Sequence, residues 1–214
     1  MTLETADLQI ADIPDIMTLE QASWPAGLQA STETIRKRLQ YGHVMLGGRV
    51  AGELVAMMSW RYANFSPDDF ASFPKTFEAF STQPSTEPHN AAFVYNLCVH
   101  PRFRGSSVVK ELFMAGLSRR HTTNCQYLVA DGRCSSYHGI ECETESIKPS
   151  PEFRAAVDRY IGGGDFPSLE EFMADPTLRF YRRMLQCEFV WIIPDFMPAD
   201  TASGGFRVIY YKRL

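Results

Sequence analysis

The sequence predicts a mixed α/β domain, and three observations carry that reading. Short apolar runs of strand length alternate with segments whose apolar residues recur every three to four positions. Capping residues stand at the heads of those segments, and Gly- or Pro-containing turns separate the rest. The element order that results is β-α-α-β-β-β-α-β-insert-α-β-β, with strands and helices interleaved along one chain of 214 residues.

Taken in order, Leu8-Gln9-Ile10 suggests a first short strand. Asp12 then caps a helix carrying Ile13, Ile16, Met17 and Leu19, with Pro14 in its first turn. Ser31-Thr32-Glu33-Thr34 opens a second helix, in which Ile35 and Leu39 are four apart. Residues 43–46 and 50–60, joined through Gly47-Gly48-Arg49, predict a β-hairpin. Residues 61–90 carry many Phe, Pro and Ser, too aromatic for a disordered linker, and read as a packed insertion. A strand over 94–99, a short basic turn and a helix carrying Leu112, Phe113, Ala115 and Leu117 follow. Residues 127–130 form the next strand. A second insertion covers 131 to about 175 and opens on an irregular stretch. Within it, Ser150-Pro151 starts a helix that Gly162-Gly163-Gly164 ends, and Ser168-Leu169-Glu170-Glu171 is a capping box. Asp175-Pro176 caps the last helix, to about Leu185, and strands over 189–193 and 206–211 close the chain. The whole, residues 1–214, reads as a single domain.

Composition narrows the function. A net charge of −4 argues against a nucleic-acid binder, which should be basic overall or carry a strong basic stripe. No stretch approaches the roughly 20 apolar residues of a membrane span, and the acidic start Met1-Thr2-Leu3-Glu4-Thr5 lacks a signal-peptide core. The expectation is a cytoplasmic protein without nucleic acid or membrane as partner; a homodimer is compatible with it. Five cysteines at scattered positions have neither disulfide nor zinc spacing, so no metal is expected. Cys98 and Cys187 lie in apolar runs, whereas Cys134 lies in a polar stretch where a reactive thiol is conceivable.

The most informative segment is Val94-Tyr95-Asn96-Leu97-Cys98-Val99-His100-Pro101-Arg102-Phe103-Arg104-Gly105-Ser106-Ser107-Val108-Val109. A strand ends in His-Pro, and a helix begins beside Arg102, Arg104 and Gly105. Free N–H groups at that helix start, flanked by cations, are suited to phosphate. The segment resembles the acyl-CoA-binding motif of the GNAT acyltransferases, Arg/Gln-x-x-Gly-x-Gly/Ala after a strand ending in Val-x-Pro. On that resemblance Arg104, Gly105, Ser106, Ser107, Val108 and Val109 would hold the coenzyme A pyrophosphate. Ser107 and Val109 stand where the family usually has glycine, or glycine or alanine, residues that let phosphate approach the backbone closely. Ser107 is small and its hydroxyl can itself donate to phosphate, whereas the bulkier Val109 either narrows the pocket or turns its side chain towards the core. Leu97, Cys98 and Val99 would receive the pantetheine and the thioester carbonyl. The element order is that of the GNAT fold with two insertions, about 61–90 and 131–175.

The resemblance extends to Leu178-Arg179-Phe180-Tyr181-Arg182-Arg183-Met184, where GNAT enzymes carry a Phe-Tyr pair. It implies that Tyr181 gives a proton to the departing thiolate. For the base, the residues offer His138 in the loop after the fifth strand, Asn96 and Tyr95 at the strand's entrance, and the acidic run Glu141, Glu143, Glu145. The resemblance implies an acyltransferase that moves an acetyl or short acyl group from acyl-CoA to an amine acceptor, an N-acetyltransferase in the simplest case. A narrower likeness is to the GNAT-like domains of polyketide synthases, which load a carrier-protein thiol and in some cases decarboxylate the acyl group. That reading places an acidic carrier protein beside Arg119, Arg120, Arg182 and Arg183, and gives Arg133 and His138 acyl chemistry. A non-catalytic acyl-CoA-binding module is the third.

Overall fold

Two residues in the left-handed backbone region fix the first hairpin. Ala51 (φ +50°) and Gly52 (φ +83°) form the tight turn between β2 (Val44–Val50) and β3 (Glu53–Ala63). Positive φ at both central residues matches the right-handed twist of the flanking strands. The expected turn at Gly47-Gly48-Arg49 is therefore displaced by four residues, and both glycines lie inside β2. Their role is close approach: a Cβ on Gly47 would meet Leu8 Cδ2 at 2.6 Å and Leu54 Cδ1 at 2.9 Å. The first strand is also displaced. β1 is Glu4–Asp7 and pairs antiparallel with β2, from Glu4 opposite Arg49 to Asp7 opposite Leu46. Leu8 instead tucks into the core, and Gln9 N–H donates to Asp12 Oδ2 (2.8 Å), turning the chain into a 3-10 turn.

The computed structural model describes residues 2–120, 125–142 and 145–214 and divides them into two compact units. The first comprises residues up to 66, 78–128 and Leu214. Its strands lie in the order β1-β2-β3-β4, antiparallel throughout, with β4 spanning Ala91–Val99. Helices α1 (Ile13–Ser23) and α2 (Thr32–Gln40) form where the sequence indicates, α2 capped by Ser31 accepting from Thr34 N–H (3.1 Å). Asp12 does not cap α1 as expected: its carboxylate makes no cap bond there, being engaged by Gln9 N–H and Arg49. Ile13, Ile16, Leu19 and Ile35 pack with Met45, Leu54, Met57 and Cys98. Of the first insertion, 78–90 belongs here and buries Phe80 under the end of a short helix, α3 (Phe77–Thr82). α4 (Val108–Arg120) follows the basic turn. β5 (Tyr127–Gly132) starts in this unit beside the beginning of β4, Tyr127 N–H donating to Asn90 O (3.1 Å).

The second unit comprises residues 67–77 and 129–213. Its three helices carry the caps read from the sequence. Ser150 and Pro151 start α5 (Pro151–Ile161), the Ser168/Glu171 box starts α6 (Leu169–Met173), and Asp175 Oδ1 accepts from Leu178 N–H (2.8 Å) at the head of α7 (Pro176–Leu185). β6 (Ile140–Cys142) and β7 (Glu145–Ile147) pair in the stretch read as irregular. β8 (Glu188–Ile193) and β9 (Arg207–Arg213) close the unit as an antiparallel pair. Phe153, Val157, Phe172, Leu178, Ile192, Phe206 and Val208 form its core, and Cys134 belongs to it. The polar surroundings expected for Cys134 are not found: its thiol is sealed, and burial pushes its pKa well up, leaving it an inert core group. Phe70 and Phe73, from the first insertion, pack on Trp191.

One ion network runs through the second unit. Asp200 accepts two bonds from Arg133 (3.0 and 3.2 Å) and lies 2.9 Å from Arg207, which also reaches Asp131 (3.2 Å). Two guanidiniums meet two carboxylates, and the opposite charges work against the desolvation of each. Asp200→Ala should cost about 3–5 kcal/mol in urea unfolding, because it leaves buried cations short of a partner. A loss under about 1 kcal/mol would show that the network contributes little to stability.

Candidate functional site

The basic turn builds an anion-binding geometry from backbone. His100 Nδ1 accepts from Arg102 N–H (3.2 Å), and Pro101–Phe103 make a 3-10 turn. Gly105 follows at φ +77°, a conformation in which other residues are strained, and no atom lies within 4 Å of where its Cβ would be. The first helical bond of α4 runs from Glu111 N–H to Ser107 O (2.9 Å). Val108 N–H is capped by Ser106 Oγ (3.3 Å), and Ser106 N–H bonds Phe103 O. The N–H groups of Gly105, Ser107, Val109 and Lys110 find no acceptor among the described residues. Arg104 is exposed beside them and donates to Ser23 O (3.2 Å). Arg102 is held by Glu53.

β4 presents its backbone unevenly. His100 N–H donates to Val55 O (2.8 Å), which places Cys98 opposite Met57 and Asn96 opposite Ser59 in the hydrogen-bonded positions of the β3 ladder. The N–H and C=O groups of Leu97 and Val99 therefore turn to the other edge of the strand. They point away from β3, whereas the backbone of Cys98 and Asn96 is engaged with it. Past Asn96 the register slips: Ser59 pairs with Asn96 but Trp60 with Val94, so Tyr95 is an extra residue, a β-bulge.

The bulge carries a buried polar cluster that sequence reading did not find. Tyr95 hydroxyl and His43 Nδ1 are 2.9 Å apart, and the Arg38 guanidinium lies 4.6 Å from the centre of the Tyr95 ring. Asn96 Nδ2 donates to Glu20 Oε1 (2.8 Å), and Ala30 N–H donates to Glu20 Oε2 (3.1 Å). Asn96 Oδ1 is buried without a partner among the described residues. Glu20 is 2% exposed, and burial raises its pKa against those hydrogen bonds and against Arg38. Arg61, 2% exposed, belongs to the same neighbourhood. Glu20, Arg38 and Arg61 sit in ordinary helix or strand patterns, and His43 in the short connection before β2. Only polar residues on otherwise apolar faces hint at them.

In the second unit, Tyr181 lies on α7 with its ring stacked on Tyr210 (centroids 5.4 Å apart) and edge-on to Phe180. Its hydroxyl has no hydrogen-bond partner among the described residues. Burial raises its pKa above the ordinary phenol value, and the Asp131 carboxylate adds to that. His138 is exposed, its N–H donating to Ala202 O (3.1 Å), its ring edge-on to Tyr137. Glu141 is exposed; Glu143, His121 and the side chains of Arg120, Cys142 and Glu145 lie outside the described residues. Among the described residues no cluster of His, Cys, Asp and Glu is placed to hold a metal, and no helix is long and apolar enough to cross a membrane.

No family model and no curated protein matches the sequence. Solved structures do. The GNAT-like decarboxylase GphF in complex with isobutyryl-CoA superposes with a TM-score of 0.74 at 20% identity, over 98% of both chains. The loading GNATL domain of CurA from Lyngbya majuscula gives 0.71 at 16%, over 100% of this chain and 98% of that one. The ribosomal-protein-S18-alanine N-acetyltransferase from Escherichia coli gives 0.55 at 11%, over 99% and 94%. The chain therefore has the GNAT acyltransferase fold, as expected from its element order.

Asp131 yields a pH dependence with a definite sign. Burial raises its pKa from 3.8 to about 6 in the folded chain, so the folded state holds the proton more tightly than the unfolded one. This group's contribution is full below about pH 4, is lost as pH rises to about 6, and is constant above. Chemical denaturation of wild type and Asp131→Asn across pH 4–7 should show the variant gaining on wild type through that window. Parallel curves would contradict the assignment.

Proposed function

We propose that this chain is an acyl-CoA-dependent acyltransferase that passes an acetyl or short acyl group directly to an amine. The observation that carries the reading is the turn from β4 into α4. Open space over Gly105, N–H groups at Gly105, Ser107, Val109 and Lys110 without acceptors, and the Arg104 cation together suit a pyrophosphate. Ser107 adds a hydroxyl that can donate to it. Leu97 and Val99 offer the strand-edge groups that pantetheine amides and a thioester carbonyl need. The fold supports the same assignment, and GphF, whose structure holds isobutyryl-CoA, shows that a protein of this fold takes an acyl-CoA.

In this reading the acceptor nitrogen attacks the thioester carbon, a C–N bond forms, and the oxyanion is met by a β4 N–H. Collapse breaks the C–S bond and releases thiolate, while the nitrogen loses its proton to a base, His138 or the Glu20–Asn96 pair, directly or through water. Tyr181 is assigned to the sulfur. A phenol above 10 is a weaker acid than a thiol near 8.5, so full transfer to a free thiolate is uphill. Tyr181 would act chiefly by donating a hydrogen bond as charge grows on sulfur, completing transfer as the product leaves.

A second reading is transfer to a carrier-protein thiol. Phe180 is exposed on α7 beside Arg183, which is exposed without a partner among the described residues, a face suited to an acidic protein. CurA's loading domain has this fold.

Calorimetric titration with coenzyme A and acetyl-CoA tests the shared part. Micromolar binding, weakened about tenfold by Arg104→Ala, is expected; no binding to millimolar concentration would end the reading. Tyr181→Phe should lower turnover about 100-fold while leaving affinity for coenzyme A intact. Unchanged turnover would remove Tyr181 from the chemistry, and the acceptor that reacts, amine or phosphopantetheine thiol, separates the two readings.

A further inference from the structure

The first unit buries two guanidiniums and pairs neither with a carboxylate among the described residues. Arg38, 5% exposed, donates to Ser81 O (3.0 Å) and Ser81 Oγ (2.8 Å). Arg61 donates to Phe80 O (2.7 Å) and Gln83 Oε1 (3.3 Å), its guanidinium 5.0 Å from the centre of the Phe93 ring. All four acceptors are neutral, and all come from residues 80–83 at and after the end of α3. Nη1 of each arginine makes no hydrogen bond among the described residues. Between the two stands His43, bonded to Tyr95 on one side and to Gln83 O (2.8 Å) on the other. Burial, with Arg38 and Arg61 repelling a third charge, lowers its pKa to about 4, so at neutral pH it adds none.

The charge does not balance. Glu20 is the one carboxylate felt by Arg38, and both its oxygens are occupied by Asn96 and Ala30. Two guanidiniums and one carboxylate leave the cluster at +1 with Glu20 ionised and +2 with it protonated. Neutral carbonyls reduce the cost of burying a cation without cancelling its field. The contrast is with the second unit, where each buried guanidinium meets a carboxylate. A buried site with excess positive charge, planar forked donors and a phenol at its centre is complementary to a carboxylate.

We propose that Arg38 and Arg61, with Tyr95 between them, form a recognition subsite for a carboxylate carried by one of the two substrates. The inference rests on the acyl-CoA reading and deepens it, since the subsite surrounds the bulged end of the strand assigned to the thioester. The carboxylate has two sources: an amino-acid-like acceptor, or the far end of the acyl chain. Asn96 Oδ1, buried and unpartnered, with Glu20 behind its amide, supplies an acceptor for an N–H of the first source.

Calorimetry on the coenzyme A-saturated protein with alanine and alaninamide, and on the free protein with malonyl-CoA and acetyl-CoA, separates the sources. In one of the pairs the carboxylate-bearing member should bind about tenfold tighter or better, and Arg38→Met or Arg61→Met should shrink that ratio to about twofold. Coenzyme A binding reads whether each variant is folded. Where a Met variant is not, Arg38→Lys or Arg61→Lys keeps the charge, loses the fork, and should cut the ratio several-fold. A lack of carboxylate preference in both pairs, or a preference that survives the substitutions, overturns the proposal. The alanine pair is also titrated without coenzyme A, so a protein that fails to bind the coenzyme still reports on the subsite.

Discussion

β4 carries one residue more than β3 pairs with, and the local arrangement of the first unit follows from that mismatch. Without the bulge at Tyr95, side chains would alternate strictly along β4. The extra residue lets Tyr95 and Asn96 both serve the polar cluster: one meets Arg38 and His43, the next meets Glu20. Below the bulge the regular ladder resumes and sets which backbone groups bond β3 and which point away from it, Leu97 and Val99 among the latter. The same ladder ends at His100, whose ring caps the 3-10 turn that delivers Gly105 and α4. A single register shift thus links a buried charged cluster, a strand edge and a helix start.

The two units solve the problem of buried charge in opposite ways. In the second, Arg133, Arg207, Asp131 and Asp200 form a closed set in which each guanidinium meets a carboxylate. In the first, Arg38 and Arg61 rest on carbonyls and a hydroxyl, and the nearest carboxylate is bonded elsewhere. Stability alone would favour apolar residues of the same size at those two positions. On the proposed reading, the imbalance also bears on the acceptor. A free ammonium would be repelled by a cluster at +1, so an amine reaching it must be neutral or bring its own negative charge.

What the sequence made legible was what local rules determine. Capping pairs placed α2, α5, α6 and α7 to within a residue, because a Ser, Asp or Pro at a helix start acts through contacts within four positions. The phosphate turn was legible for the same reason, as a contiguous run from His100 to Val109. The hairpin turn was not: Gly47-Gly48 carries the stronger turn signal, and only the packing of Leu8 and Leu54 against those glycines explains why they lie in a strand. The buried stretch around Cys134 was missed similarly, since its polar neighbours Ser135 and Ser136 are themselves buried. The Glu20–Asn96 pair and the two arginines were beyond reach, because a 76-residue separation leaves no periodic trace.

The acidity of Tyr181 constrains what any such enzyme can do with it. Burial, with the Asp131 carboxylate adding to it, makes the phenol hold its proton, so it stands as a donor at neutral pH. A weaker acid gives up less of its proton in the transition state and donates a less polarised bond. On the proposed reading, the buried phenol puts no phenolate where a thiolate would form, and so avoids like charges that would slow departure of the leaving group. A hydroxyl with no partner among the described residues also breaks no hydrogen bond to them in serving a ligand. The same reasoning explains why a tyrosine suits this position better than a histidine would: imidazole near 6.5 would alternate between two charge states across the working range, whereas the buried phenol keeps one.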